Sequence, residues 1–212
     1  MNESDPNGTD AYIITYGSEH DPIGTHSAIA IDWPGTSPIE YDFGPTGPDR
    51  PVTYWIHGAA VPGEVVPTKC APTTLSETVF TLSCPTTYSH PHFLEEPSYI
   101  IRIHTTAAQD KAIRKWLIST ESNTDNNWKG AYGLYDGLNR QCSSYVNDAL
   151  KAGGIDTGLG RDPKGDSILA HLGENIFESS VGGAYYATVK PAELRFWALT
   201  QPGSRTIWHK SK

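Results

Sequence analysis

The sequence predicts an α+β fold, an antiparallel sheet packed against a helix that carries a cysteine. Three observations point there. Short runs rich in β-branched and aromatic residues, AYIITY, HSAIAIDW, IEYDF and SYIIRIH, are bounded by turn residues. Two stretches with a 3.6-residue apolar period, at 106–119 and 142–152, come after most of those runs instead of alternating with them. No internal repeat and no linker breaks the 212 residues, so one domain over 1–212 is expected.

Taken in order, residues 1–10 read as a loose arm and Ala11 to Tyr16 as a strand. Gly17 to Thr25 is a loop, and His26 to Trp33 a buried strand. Pro34 to Pro38 is a turn cluster. In Ile39 to Phe43 the residues alternate, with Ile39, Tyr41 and Phe43 on one face and Glu40 and Asp42 on the other. The two strands on either side of that turn form a hairpin. VTYWIHG, 52–58, reads as a strand. The segment 58–96 is rich in Pro, Thr and Ser; apart from a strand at Thr78 to Leu82, it is expected to be a long loop-rich insertion.

Ser98 to His104 is a strand, and Thr106 with Gln109 three residues later is a capping-box pattern that opens a helix through about Ser119. Its inner face is Ala112, Ile113, Trp116 and Leu117. A short helix is expected at Ser167 to Leu172, and a closing pair of strands at Glu193 to Leu199 and Arg205 to Trp208.

The stretch YDGLNRQCSSYVNDALKAGG, 135–154, holds Cys142 where a polar loop tightens into a helix. Cys142, Tyr145, Val146, Ala149 and Leu150 share one helical face, Lys151 suits the last turn, and Gly153-Gly154 end the helix. A thiol in a helix's first turn lies near unpaired N–H groups and the positive end of the dipole, which favour thiolate and suit an oxyanion. From the helix alone two readings stand side by side: a small core residue, or a nucleophile that needs a base.

Eight histidines are available as base. His26 opens a strand, where a side chain can reach over the sheet edge toward a helix end. The end of the next strand returns beside it, so Asp42 can hold the imidazole, with Glu40 as a fallback orienter. His20 is a weaker candidate. Cys142 as nucleophile, His26 as base and Asp42 as orienter make a set for amide hydrolysis. The Cys142 N–H, with the Gln141 or Asn139 side chain, is the expected oxyanion support.

Composition narrows the partners. A net charge of −8 supplies no basic footprint for nucleic acid. No apolar run of about 18 residues exists, so no transmembrane segment is expected. MNESDPNGTD does not read as a signal peptide, so synthesis in the cytoplasm and export without a cleaved leader is the expectation. Of three cysteines, Cys70 and Cys84 bracket TLSETVFTLS and either form a disulfide or stay reduced. No metal-ligand spacing is present, and no cofactor is implied.

HSAIAI, a hairpin ending in YDFGP, and a later QCSSYVNDALKAGG resemble the circularly permuted branch of the papain-like fold. That branch holds the lecithin:retinol acyltransferase-like proteins, the PPPDE-type isopeptidases and permuted relatives of the NlpC-type cell-wall peptidases. Its pattern is a histidine opening a strand, a polar residue ending the next, and Asn-Cys-x-x-Phe/Tyr-Val opening a helix. His26, Asp42 and Cys142-Ser143-Ser144-Tyr145-Val146 fall on these positions. Departures are Gln141 in place of Asn, Asp42 where several members have a second His, a longer hairpin loop, and the 58–96 segment. The resemblance implies a cysteine amidase or endopeptidase acting on peptidoglycan peptides. It also implies an antibacterial type VI secretion effector working in a target-cell periplasm, with an immunity protein as partner. An acyltransferase or phospholipase, a ubiquitin-like deconjugating protease, and a non-catalytic binding module are the alternatives.

Overall fold

A computed structural model describes residues 10–16, 26–33, 36–45, 61–69, 71–76, 79–83, 97–121, 132, 134–135, 141–159 and 189–209. The strand expected at 52–58, the helix at 167–172, Asn139, and Cys70 with Cys84 lie outside them.

The architecture is α+β. Nine strands run β1 Asp10–Tyr16, β2 His26–Trp33, β3 Thr36–Pro45, β4 Val61–Lys69, β5 Ala71–Ser76, β6 Val79–Ser83, β7 Pro97–His104, β8 Leu134–Tyr135 and β9 Arg205–His209. Three helices are α1 Ala107–Thr120, α2 Cys142–Ala152 and α3 Pro191–Thr200. The antiparallel sheet has the order β4-β3-β2-β1-β7-β9, with the two-residue β8 paired outside β4.

β1 and β2 stand at the centre, and every residue of β1 is buried. Their near-continuous apolar runs follow from burial on both faces. On the first face Ile13, Ile29, Tyr41, Phe43 and Ile101 pack against residues of all three helices. On the second, Tyr12, Ile14, Tyr16, Ala28, Ala30 and Ile100 form another cluster. The β5–β6 hairpin touches β3 and β9, which have β2, β1 and β7 between them. It therefore crosses the face that the helices leave open.

Three expectations are corrected. Much of 58–96 is strand, not irregular chain. β4 pairs with β3 along its length, from Ile39↔Lys69 to Pro45↔Gly63. Its prolines suggested a loop, but among the described residues only the short β8 lies on its far side and reaches no further than Pro62, so Pro67 stands where that edge needs no ladder partner. The strand expected at Glu193 to Leu199 is instead α3. Pro191 stands at its start, the Glu193 carboxylate accepts from the Lys190 N–H, and Leu194, Trp197 and Ala198 are buried at helical spacing. The start of β3 also takes in Thr36 to Pro38, expected to be turn.

The helices follow their local signals. Thr106 accepts from the Gln109 N–H at 3.2 Å while the Gln109 side chain accepts from the Thr106 N–H at 2.8 Å, which closes the capping box. At the end of α2, Gly154 has φ 73°, the left-handed conformation that glycine takes without strain. A Cβ on Gly153 would lie 2.6 Å from Ile113 Cγ1, so a glycine there lets α2 close on α1. Among the described residues no helix is long and apolar enough to cross a membrane.

Candidate active site

The position of Cys142 is fixed by how α2 is buried. Tyr145, Val146, Ala149 and Leu150 are fully buried against the sheet and α1. Truncating one of them, as in Leu150→Ala, would cost roughly 2–5 kcal/mol. Tyr145 stacks on Phe43 of β3 at 5.6 Å and meets Trp116 of α1 at 5.2 Å, and its hydroxyl bonds Thr120 at 2.8 Å. This anchors the first turn of α2 over the start of β2. The Ser143 hydroxyl donates to Ser27 Oγ at 3.3 Å, tying that turn to the second residue of the strand.

His26 is the first residue of β2 and is opposite Tyr16 in the β1–β2 register. The two rings lie 5.9 Å apart. Asp42 and Glu40 share a face of β3, and Glu40 is opposite Ala30. Small alanines at 28 and 30 leave room on that face for larger side chains. His26 Nε2 lies 2.5 Å from Asp42 Oδ1. The ring also hydrogen-bonds the Cys142 sulfur. With Nε2 engaged by the carboxylate, Nδ1 is the nitrogen left for the sulfur.

Burial alone would push the thiol up and the imidazole down. The opposite happens to both. Burial disfavours the Cys142 thiolate, but the His26 charge, its hydrogen bond and the Ser27 backbone N–H outweigh it, and the thiol falls below its ordinary range. Burial disfavours the imidazolium, but Asp42 and the Cys142 sulfur raise His26 well above the usual imidazole value. Both shifts favour the proton on the ring over the sulfur, and they belong to the pair. A thiolate beside an imidazolium is the reactive form of a cysteine.

Glu40, expected as a fallback orienter, has another partner: the Tyr16 hydroxyl donates to its Oε1 at 2.5 Å. Burial and the Asp42 charge push its carboxyl up to about 7, against the Tyr16 bond and His26. Gln141, expected at the oxyanion, donates its side-chain amide to the Val189 carbonyl at 2.6 Å. It stands in extended conformation just before α2 and makes no side-chain cap bond. It thus ties the start of the cysteine helix to the chain leading into α3. Asn139 lies outside the described residues. Cys142 itself is 3 % exposed.

Sequence reading brought together Cys142, His26 and Asp42 but missed Tyr16, Ser27 and Ser143. Tyr16 had a signal, since it ends a strand whose antiparallel neighbour starts at His26. Ser27 and Ser143 had none beyond adjacency to His26 and Cys142.

Among the described residues no three of His, Cys, Asp and Glu gather as a metal site. Compared with models of known families, with curated proteins and with solved structures, the chain matches none.

Proposed function

We propose that the chain is a cysteine hydrolase of the permuted papain-like kind that cleaves an amide bond. The observation that carries this is a single imidazole bonded on one side to Asp42 and on the other to a sulfur at a helix N-terminus. The Cys142 thiolate attacks the carbonyl carbon. The unpaired N–H groups of the first helical turn face the developing oxyanion. The His26 imidazolium gives its proton to the leaving amine, then as free base takes one from the water that releases the acyl group. Asp42 keeps the ring oriented and compensates its charge.

Peptides of peptidoglycan are the substrate class we favour, with delivery to a target-cell periplasm and an immunity-type inhibitor as partner. What supports this is the order of the motifs and the likeness of QCSSYVNDALKAGG to cell-wall peptidases. Incubating purified protein with peptidoglycan and reading released fragments by mass spectrometry tests it. Fragments that vanish with Cys142→Ala are expected. No release by the wild type, together with harmless periplasmic expression, would overturn the substrate.

The burial of Cys142 favours a second reading, a non-catalytic module with a core cysteine. Alkylation separates the two, because an active-site thiolate reacts quickly near neutral pH and a core thiol only on unfolding.

A further inference from the structure

Behind the His26–Asp42 pair lies a second pair of buried side chains that the proposed hydrolysis does not use. Glu40 is 3 % exposed and Tyr16 is 4 % exposed. The tyrosine hydroxyl bonds the carboxyl at 2.5 Å, and the tyrosine ring lies against the imidazole. We propose that Tyr16 and Glu40 are positioning residues for His26: the carboxyl fixes the tyrosine, the tyrosine ring backs the imidazole, and the charge state of Glu40 sets how strongly His26 holds its proton. This rests on the reading of His26 as the acid and base of a cysteine hydrolase.

Among the described residues, the charges around Glu40 can be named element by element. On its own strand it shares a face with Asp42, about 7 Å along the chain. β2 presents Ala30 directly opposite, with Asp32 and His26 on the same face to either side of it. β1 presents Tyr16. β4 presents Thr68 opposite, with Glu64 opposite Gly44 further along. The α2 helix brings Cys142. The β5–β6 hairpin, which touches β3, carries no ionisable residue in either strand, APTTLS and VFTLS.

His26 is thus the sole cation among these groups. The Asp42 charge already bears on Glu40 and is offset only in part by His26. An ionised Glu40 would add another in a site sealed from water, so the neutral acid is favoured, in keeping with a carboxyl pushed up to about 7. Once Glu40 ionises, its charge holds the imidazolium more tightly. The reaction then keeps its proton donor to higher pH.

The variants are Glu40→Gln, which still accepts from Tyr16 but never ionises, and Glu40→Ala, which leaves the buried hydroxyl without its acceptor. The His26 ring is titrated by NMR, and kcat/KM for peptide hydrolysis is followed against pH. For Glu40→Gln we expect the imidazolium midpoint and the alkaline limb of kcat/KM to move down together. The shift should be roughly one unit, the size expected when one charge is removed from a partly screened interior. The acid limb should stay in place, because Glu40 is already neutral there. Glu40→Ala should lose about tenfold in kcat, and Glu40→Gln should recover most of it. Superimposable ring titrations in wild type and Glu40→Gln would overturn the proposal, as would a Glu40→Gln as impaired in kcat as Glu40→Ala. The ring titration needs no substrate. A shifted midpoint in a protein that hydrolyses nothing would sink the hydrolase and spare the pairing, and an unshifted one in an active enzyme the reverse.

Discussion

Among the described residues the sheet carries two histidine–aspartate pairs, one near each end of its strands, and they are not equivalent. At one end His26 bonds Asp42 at 2.5 Å; at the other His104 Nδ1 lies 2.7 Å from Asp10 Oδ1. Distance hardly distinguishes them. Surroundings do. The His26 side chain is 8 % exposed and touches a thiol, whereas that of His104 is 51 % exposed and shares its aspartate with Arg102 at 3.5 Å. A carboxylate beside an imidazole is therefore no site by itself. Chemistry becomes available where the ring is buried, has one anionic partner, and spends its second nitrogen on a nucleophile. The His104 end has the charges of a structural network, with the guanidinium already answering the aspartate.

The largest effects should come from the buried end. Cys142→Ala and His26→Ala are each expected to remove at least about 10³-fold of kcat/KM on peptide substrate, because the two act as a unit. Combining them should cost little more than either alone. If the double variant lost the product of the two single losses, the sulfur and the ring would be working separately. Next in size is Asp42→Asn, expected to cost on the order of 10²-fold with the fold intact. The amide can still bond the ring but offers no charge to compensate the imidazolium. Circular dichroism establishes folding, and turnover rates give the loss; an Asp42→Asn at wild-type rate would reduce this pair to the standing of the exposed one.

How far this contrast was legible in the sequence depends on what each element reports. The three side chains of the buried site lie at element boundaries, at the first residue of β2, toward the end of β3 and at the start of α2, and boundaries carry local signals. The alternation of Ile39 to Phe43 put Asp42 on the right face, and the apolar stripe of α2 put Cys142 at its tip. The second pair was not seen, because Asp10 and His104 are 94 residues apart and meet only through the β1–β7 register, a non-local pairing. The β4 strand was hidden by its prolines, which read as loop until one knows how little lies on its far side. The α3 helix was missed because Leu194, Phe196 and Ala198 imitate a two-residue period. The exposure of Phe196, 56 %, shows that the period was accidental.

The buried end should also show in stability against pH. The Glu40 carboxyl rises from an ordinary value near 4.5 to about 7 in the folded chain. The folded state therefore binds the proton more tightly than the unfolded one. The stabilisation is fully present below about 4.5 and is lost as pH rises through about 7. Its size is at most roughly 3 kcal/mol, from a shift of that extent. Urea titrations of wild type should lose stability across this window, and Glu40→Gln should lose distinctly less. Equal slopes would mean that Glu40 ionises in the folded chain as it does in the open one.

The smallest effect is expected where the resemblance between the two pairs is most misleading. His104→Ala removes an imidazole that is half in solvent, so its ion pair with Asp10 is screened and is worth at most about 1 kcal/mol. Arg102, mostly buried, stays beside the aspartate and keeps its charge answered. The variant should unfold within about 1 kcal/mol of wild type and turn over substrate at an unchanged rate, since among the described residues no bond links that end of the sheet to the cysteine. Urea midpoints and kcat measured on the same preparation check both halves. A fall in kcat without a fall in stability would make the exposed pair part of the chemistry, and burial would no longer be what separates the two.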